Sequence, residues 1–175
     1  MKRNMPPDLV VGDFDSASVS ALDWARKHGA KIIRQRSQDE PDFVKGLALC
    51  RKLHYKKVVI MGADGDRMDH TLISMFSAVR EPKLDLLFVT AGTLVFPLHG
   101  KVSRWFCVPA KHPLSWIPLG EAKRCSLTGV KWPFYNRSLR IGGFHSLSNL
   151  PSDPEILLSQ QSGNSLLIVG LKPQP

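Results

Sequence analysis

Two acidic clusters carry the first chemical signal. Gly12-Asp13-Phe14-Asp15-Ser16 follows the apolar run Leu9-Val10-Val11, and Asp39-Glu40-Pro41-Asp42 stands just before a helical pattern. Carboxylates two residues apart at the end of a strand can share a hard cation, because Mg²⁺ prefers oxygen and commonly takes one or two carboxylates together with substrate phosphates. A turn in which Asp13 or Asp15 caps the following helix accounts for the same residues, and Asp42 is a good helix-start residue. Spacing alone leaves both readings open at each cluster.

A third stretch, Gly62-Ala63-Asp64-Gly65-Asp66-Arg67-Met68-Asp69-His70, links the apolar run Val58-Val59-Ile60-Met61 to a helical pattern. Its glycines allow backbone to approach a phosphate, and Arg67 offers a planar donor fork. It lacks the GK[ST] of a Walker loop, and a solvated Gly/Asp turn explains it equally well. Asp69 can hold Arg67 in place, and His70 reads as a helix-start residue more readily than as a proton carrier. Further on, Trp132 sits beside Pro133 and can stack on a flat cationic ring or fill a core. Ser148 and Asn149 can bond a ligand or make a turn.

The elements that must position these residues change character near Ala91. Before it, strands at Leu9–Val11, Ile32–Ile33, Val58–Met61 and Leu86–Val89 alternate with helices, which predicts a mostly parallel sheet with helices packed over it. The helices are expected from a Ser16 cap to about His28 with Gly29 as terminator, from Asp42 with Phe43, Leu47 and Cys50 on one face, and over Thr71–Val79. Val58–Met61 reads as a buried strand and Gly62–His70 as a polar loop. After Ala91, short β-like pieces around Val95-Phe96, Trp105–Val108, Trp116-Ile117 and Leu166–Val169 are separated by Gly, Pro, Ser and Asn, the pattern of a small β-sandwich or barrel.

With 175 residues, 43% hydrophobic and 22% charged, the chain can bury a core and is neither disordered nor collagen-like. Lys and Arg number 24 against 15 Asp and Glu, a net charge of +9 that attracts polyanions. The basic residues are scattered, as in Lys2-Arg3 and Lys56-Lys57, which argues against a dedicated nucleic-acid surface. Cys50, Cys107 and Cys125 form no CxxC or zinc spacing and read as buried, reduced thiols. Neither a signal peptide nor a membrane span is expected, so the predicted location is cytoplasmic, and the Pro-containing tail 172–175 is expected to fray.

Taken in order, five blocks resemble thiamine pyrophosphokinase: Pro7 to Ser16, Asp42-Phe43 with Lys45 and Leu47, Gly62 to His70, Gly129 to Trp132, and Ser146 to Asn149. The resemblance implies an N-terminal parallel-sheet α/β catalytic domain over 1–91, without the family's first strand, and a C-terminal β-sandwich thiamine-binding domain over 92–175. It also implies a homodimer and Mg²⁺-dependent pyrophosphoryl transfer from ATP, as co-substrate, to the thiamine hydroxyl, yielding thiamine diphosphate and AMP. On the matching positions, Asp13, Asp15 and Asp42 would organise metal and phosphates, with Asp15 and Asp42 catalytic. Arg67 and Asp69 would bind nucleotide, Trp132 would face the thiamine rings, and Ser148 and Asn149 would add polar contacts. Two departures stand out: the family's upstream strand and acidic glycine-containing motif precede the stretch matching Gly12-Asp13, and Asp66 occupies a position where the family loop has glycine.

Two other readings compete. Asp13-Phe14-Asp15 partly resembles the DxDxT nucleophile motif of haloacid dehalogenase phosphatases, although Ala17 replaces the threonine. A catalytically weakened nucleotide- or thiamine-binding homologue would keep the fold and bind thiamine without turnover, whereas a phosphatase would release phosphate from simple esters.

Overall fold

The computed structural model describes residues 5–15, 17–34 and 40–174. Ser16 and Asp39, considered above, lie outside them, as do Lys2, Arg3 and Pro175. The chain falls into two compact units, Met1–His54 and Tyr55–Pro175.

In the first unit, β1 (Leu9–Gly12) leads through α1 (Val19–Lys27) to β2 (Lys31–Arg34), and α2 (Asp42–Lys52) follows. β1 and β2 pair in parallel, with Val10 opposite Ile32 and Val11 opposite Ile33. Ser18 caps α1: its hydroxyl accepts the Ala21 N–H at 3.2 Å, satisfying one of the amides that the first turn leaves without a partner. Gly29, at φ 91°, ends the helix in a conformation that favours glycine. On α2, Leu47 is buried while Phe43 and Cys50 are half-buried.

The second unit begins with β3 (Lys57–Met61), α3 (Met68–Ala78) and β4 (Asp85–Val89), with β3 and β4 again parallel. α3 starts three residues earlier than the sequence pattern suggested, placing Asp69 in its first turn. β3 is not the buried strand expected, since Val59 and Met61 are exposed. Among the described residues it stands at the end of its sheet, where it pairs with β4.

The chain then becomes all-β: β5 (Thr93–His99), β6 (Val102–Cys107), β7 (Leu114–Thr128), β8 (Phe134–Arg140), β9 (Ser146–Asn149), β10 (Glu155–Gln160) and β11 (Ser162–Gly170). The fifteen-residue β7 organises them. Along one edge it pairs first with β11 and then with β10; along the other it pairs with β9 and then β8. β5 pairs with β11 and β6 with β10. Three tracks, β5/β6, β11/β10 and β7, therefore run side by side and bend along one line, at Gly100, at Gln160 to Gly163, and at Gly120 to Arg124. Gly100 (φ 59°), Gly120 (φ 92°), Gly163 (φ 97°) and Arg124 (φ 50°) all lie in the left-handed region there. The bend folds the sheet onto itself, which makes the sandwich. Across the fold Phe96 meets Phe106 edge-on at 5.1 Å, Trp116 meets Phe134 at 5.7 Å, and Arg104 pairs with Asp85 at 2.8 Å.

The core holds Leu114, Trp116, Leu127, Leu139, Ile156, Leu158 and Leu167, each fully buried. One polar network crosses it. Trp116 Nε1 donates to Ser165 Oγ at 2.8 Å, Ser165 donates to Gln160 Oε1 at 2.6 Å, and Gln160 Nε2 donates to the carbonyls of Gly100 and Gly163 at 2.9 and 3.0 Å. Each buried side-chain donor of this network has an acceptor, as burial requires. Of the three free cysteines only Cys125 is buried, and burial pushes its thiol up to about 11. Cys50 is half-buried, and Cys107 is exposed because it falls on the outward phase of β6. The expectation of three buried thiols is corrected accordingly.

The fold line predicts its own weakest point. A Cβ at Gly163 would stand 2.0 Å from Glu121 O and 2.7 Å from Ala122 Cα, and the positive φ penalises it further. Gly163→Ala is expected to cost about 3 kcal/mol or more, read as a lowered urea midpoint. Gly92→Ala, with nothing within 4 Å of the new methyl, should leave that midpoint nearly unchanged.

Candidate functional site

In the first unit, the carboxyl end of β1 meets the N-terminus of α2. A Cβ on Gly12 would stand 3.1 Å from Asp42 Oδ2, so the absent side chain is what lets that carboxylate reach the strand end. Asp42 occupies the first turn of α2, where the helix dipole favours negative charge. Its Oδ1 accepts Lys45 Nζ at 3.0 Å, and Lys45 is only 4% exposed. That buried lysine was missed as a site residue. The acid-to-base spacing of three along a helix was its legible signal.

Asp13 is a turn former as well as a candidate ligand: its Oδ1 accepts the Asp15 N–H at 3.0 Å, closing an Asx turn. The next residue, Phe14, is held at φ 67°, an unusual conformation for an aromatic residue. Arg34 Nε donates to the Asp13 carbonyl at 3.1 Å and ties the loop to the end of β2. Asp15 is exposed. Gly12 and Asp42 are thus in contact, whereas Asp13, Asp15 and Asp42 do not form a three-ligand cluster, and no such cluster of His, Cys, Asp or Glu exists among the described residues. The donors fit Mg²⁺ in kind, because that ion takes one or two carboxylates and completes its shell with water and phosphate oxygens.

In the second unit, the loop after β3 is held at the carboxyl ends of the parallel pair. Asp64 Oδ2 accepts the Ala91 N–H at 2.8 Å, joining the loop after β3 to the loop after β4. Asp64 is a positioning residue whose role no local spacing revealed. Arg67 forms a two-pronged contact with Asp69, Nε to Oδ1 at 3.2 Å and a second nitrogen to Oδ2. The pair is solvent-exposed. The Arg67 hydrogen bond is the main cause that holds the Asp69 carboxyl below its ordinary value, and Asp69 in turn raises Arg67. His70 lies in the first turn of α3.

Trp132 is 54% exposed, while Trp116 is the tryptophan that fills the core. Asn149, 2% exposed, accepts the Trp132 N–H at 3.1 Å and donates to the Trp132 carbonyl at 2.9 Å. Its Oδ1 also takes the Leu150 N–H, and its Nδ2 reaches Ser146 Oγ at 3.4 Å. Asn149 therefore holds the Trp132 backbone. Ser148 is the extra residue of a bulge: three steps on β9 from Ser146 to Asn149 oppose two on β7 from Trp116 to Leu114, and Ser148 takes φ 52° with its N–H on Ser115 Oγ. The bulge turns both Ser146 and Asn149 inward. Beside Trp132 opens a cleft of about 250 Å³ lined by Phe134, Arg137, Phe144, His145 and Asn149 among others. A larger cleft, about 400 Å³ between Cys107–Ala110 and Pro151–Pro154, is lined mainly by apolar and proline residues.

The Arg67–Asp69 pair makes a pH-dependent prediction. A carboxyl depressed in the fold contributes stability above its unfolded value, and that contribution is lost as pH falls through the folded value. Carbon-detected NMR titration should place the Asp69 midpoint below 3.8, its reference value, and Arg67→Gln should return it toward that reference. An unchanged midpoint in the variant would remove Arg67 as the cause.

Comparison with known proteins gives these features a family. The family model described as thiamin pyrophosphokinase, catalytic domain, matches residues 1–88, and that described as thiamin pyrophosphokinase, vitamin B1 binding domain, matches residues 109–159. Thiamine pyrophosphokinase 2 of Arabidopsis thaliana is 24% identical over a 190-residue alignment, covering 98% of this chain and 68% of that protein. Thiamine pyrophosphokinase 1 of the same plant is 24% identical, covering 93% and 65%. The chain spans about two thirds of the length of these curated relatives. Among solved structures, thiamine pyrophosphokinase from Bacillus subtilis superposes with a TM-score of 0.83 at 21% identity, over 94% of this chain and 78% of that one. The enzyme from Candida albicans gives 0.83 at 22%, over 96% and 74%. An α/β part with parallel strand pairs followed by a β-sandwich is the shared fold, and the chain belongs to the thiamine pyrophosphokinase family.

Proposed function

We propose that this chain is a thiamine diphosphokinase, transferring the terminal pyrophosphoryl group of ATP to thiamine. The observation that carries the reading is the ordered match of both family domains, catalytic then vitamin-binding, to the two regions where the candidate residues lie. In the reaction the thiamine hydroxyl oxygen bonds to the β-phosphorus of ATP and the bond from that phosphorus to the α–β bridging oxygen breaks. AMP departs, and the hydroxyl proton passes to solvent or a base. Such transfers need positioning and charge neutralisation more than covalent help from the protein.

Each group then has a role. Asp42, with one of Asp13 and Asp15, would hold Mg²⁺, which when bound supplies charge neutralisation on the polyphosphate. Lys45 keeps Asp42 in place. Arg67 would meet the nucleotide phosphates, with Asp69 orienting its fork. Trp132 would stack on the thiamine rings, the indole quadrupole favouring a cation; Ser148 would offer a polar contact, and Asn149 would act through its hold on Trp132. This division assigns residues 1–91 to nucleotide and metal and 92–175 to the vitamin. A cytoplasmic homodimer that binds neither membrane nor nucleic acid completes the reading. The scattered basic residues support its nucleic-acid part, and among the described residues no helix is long and apolar enough to cross a membrane; location and dimer are carried over from the sequence reading and the family resemblance, respectively. The phosphatase alternative draws no support from the two Arabidopsis relatives, both named thiamine pyrophosphokinase.

The test is direct: the pure chain with ATP, Mg²⁺ and thiamine should yield thiamine diphosphate and AMP in equal amounts. Asp42→Asn is expected to lower turnover by roughly two orders of magnitude with unchanged circular dichroism. Trp132→Ala should weaken thiamine by about 1 to 2 kcal/mol while sparing ATP. If that variant instead loses melting temperature and both affinities together, the tryptophan serves packing and not the ligand.

A further inference from the structure

The cleft beside Trp132 has a charge that the vitamin alone does not explain. Thiamine is a cation, yet the protein already places Lys131 Nζ 4.8 Å from the Trp132 ring centroid, and Arg137 and His145 line the cleft without any carboxylate. Arg137 is held in place. β8 breaks its alternation at Asn136 (φ 48°), so the buried phases at Phe134 and Leu139 are five residues apart, and Arg137 returns to the side of the aromatic row. Its guanidinium carbon lies 3.7 Å from the Phe144 ring centroid. Phe144 stands edge-on to Phe134 at 5.1 Å, and Phe134 packs on Trp116 in the core. A stacked guanidinium keeps its in-plane N–H donors available, and among the described residues no carboxylate pairs with this one. His145 Nδ1 lies 3.0 Å from the Gly143 carbonyl, which fixes the ring.

We infer that this cleft binds the phosphate of a phosphorylated thiamine, through Arg137, more tightly than it binds the unphosphorylated vitamin. The inference rests on the thiamine reading of Trp132. It makes Arg137 a specificity residue: the cationic rim opposes the incoming vitamin and retains the vitamin once it carries a phosphate, so the phosphorylated form competes with the substrate for the same cleft.

Calorimetry on the full chain, without nucleotide and with EDTA present, separates the outcomes. Thiamine monophosphate should bind about tenfold more tightly than thiamine, with the advantage shrinking as salt rises. Arg137→Gln should abolish the advantage while leaving thiamine affinity equal or improved. Arg137→Lys should restore part of it, since a point charge lacks the planar fork. Circular dichroism and melting temperature monitor the fold of each variant. Equal affinities for the two forms, or an advantage that survives Arg137→Gln, would overturn the inference while leaving the kinase reading intact. Inorganic phosphate binding as tightly as the ester would also overturn it, because the ring would then contribute nothing. Binding of neither thiamine nor its phosphate would remove the Trp132 assignment and this inference together.

Discussion

The β-sandwich depends on one line of bending. Three adjacent strand tracks cross from one layer to the other at the same level, and each crossing carries left-handed backbone that lets the strand turn sharply. At Gly163 a methyl group would overlap the carbonyl oxygen of Glu121. Its left-handed backbone, with those of Gly100, Gly120 and Arg124, sets the angle of the fold. Gln160 then spans the corner from inside, bonding the carbonyls of both Gly100 and Gly163 and accepting from Ser165. A buried amide of this kind is stabilising only when its partners are all present, which makes the corner cooperative: the strands bend together or the network fails.

That corner reaches the candidate vitamin site by short steps. β7 carries Trp116 into the core, where its ring meets Phe134 and, through it, Phe144. The far end of the same row holds Arg137, and the flank of β7 pairs with β9, whose bulge turns Asn149 inward to grip Trp132. An exposed tryptophan is ordinarily mobile, but here its backbone is held by hydrogen bonds on both sides. The rigidity of the sandwich is thereby transmitted to a surface group that offers a ring face.

The α/β region works by a different economy. Its loops sit at the carboxyl ends of parallel strand pairs, where ligands bind in such sheets, and each is held by one or two hydrogen bonds in place of a packed core. Asp64 ties its loop to Ala91, Arg34 ties the Asp13 turn to β2, and Lys45 tethers Asp42. Side chains that could ligate a cation are thus held mainly by ionic and backbone partners, which phosphate and metal can exchange for.

The sequence by itself determined the elements whose signals are local. Apolar runs marked β1 to β4, Gly29 marked a helix end, the loss of helical period after Ala91 marked the β-rich half, and five ordered blocks marked the family. It also put Asp42 at a helix start and Trp132 beside a rigid turn. Signals shared between distant residues were illegible. The full length of β7, through the charged stretch Glu121 to Arg124, depended on pairing with four other strands, and β8 and β10 surfaced only as its partners. Val59 and Met61 looked buried because hydrophobicity reports composition and not where a strand stands in its sheet. The grip of Asn149 on Trp132, the stacking of Arg137 on Phe144 and the contact of Asp42 with Gly12 join residues as many as thirty positions apart. Only the tertiary structure could decide them, because hydrogen bonds and ring contacts depend on distance in space, which separation along the chain does not encode.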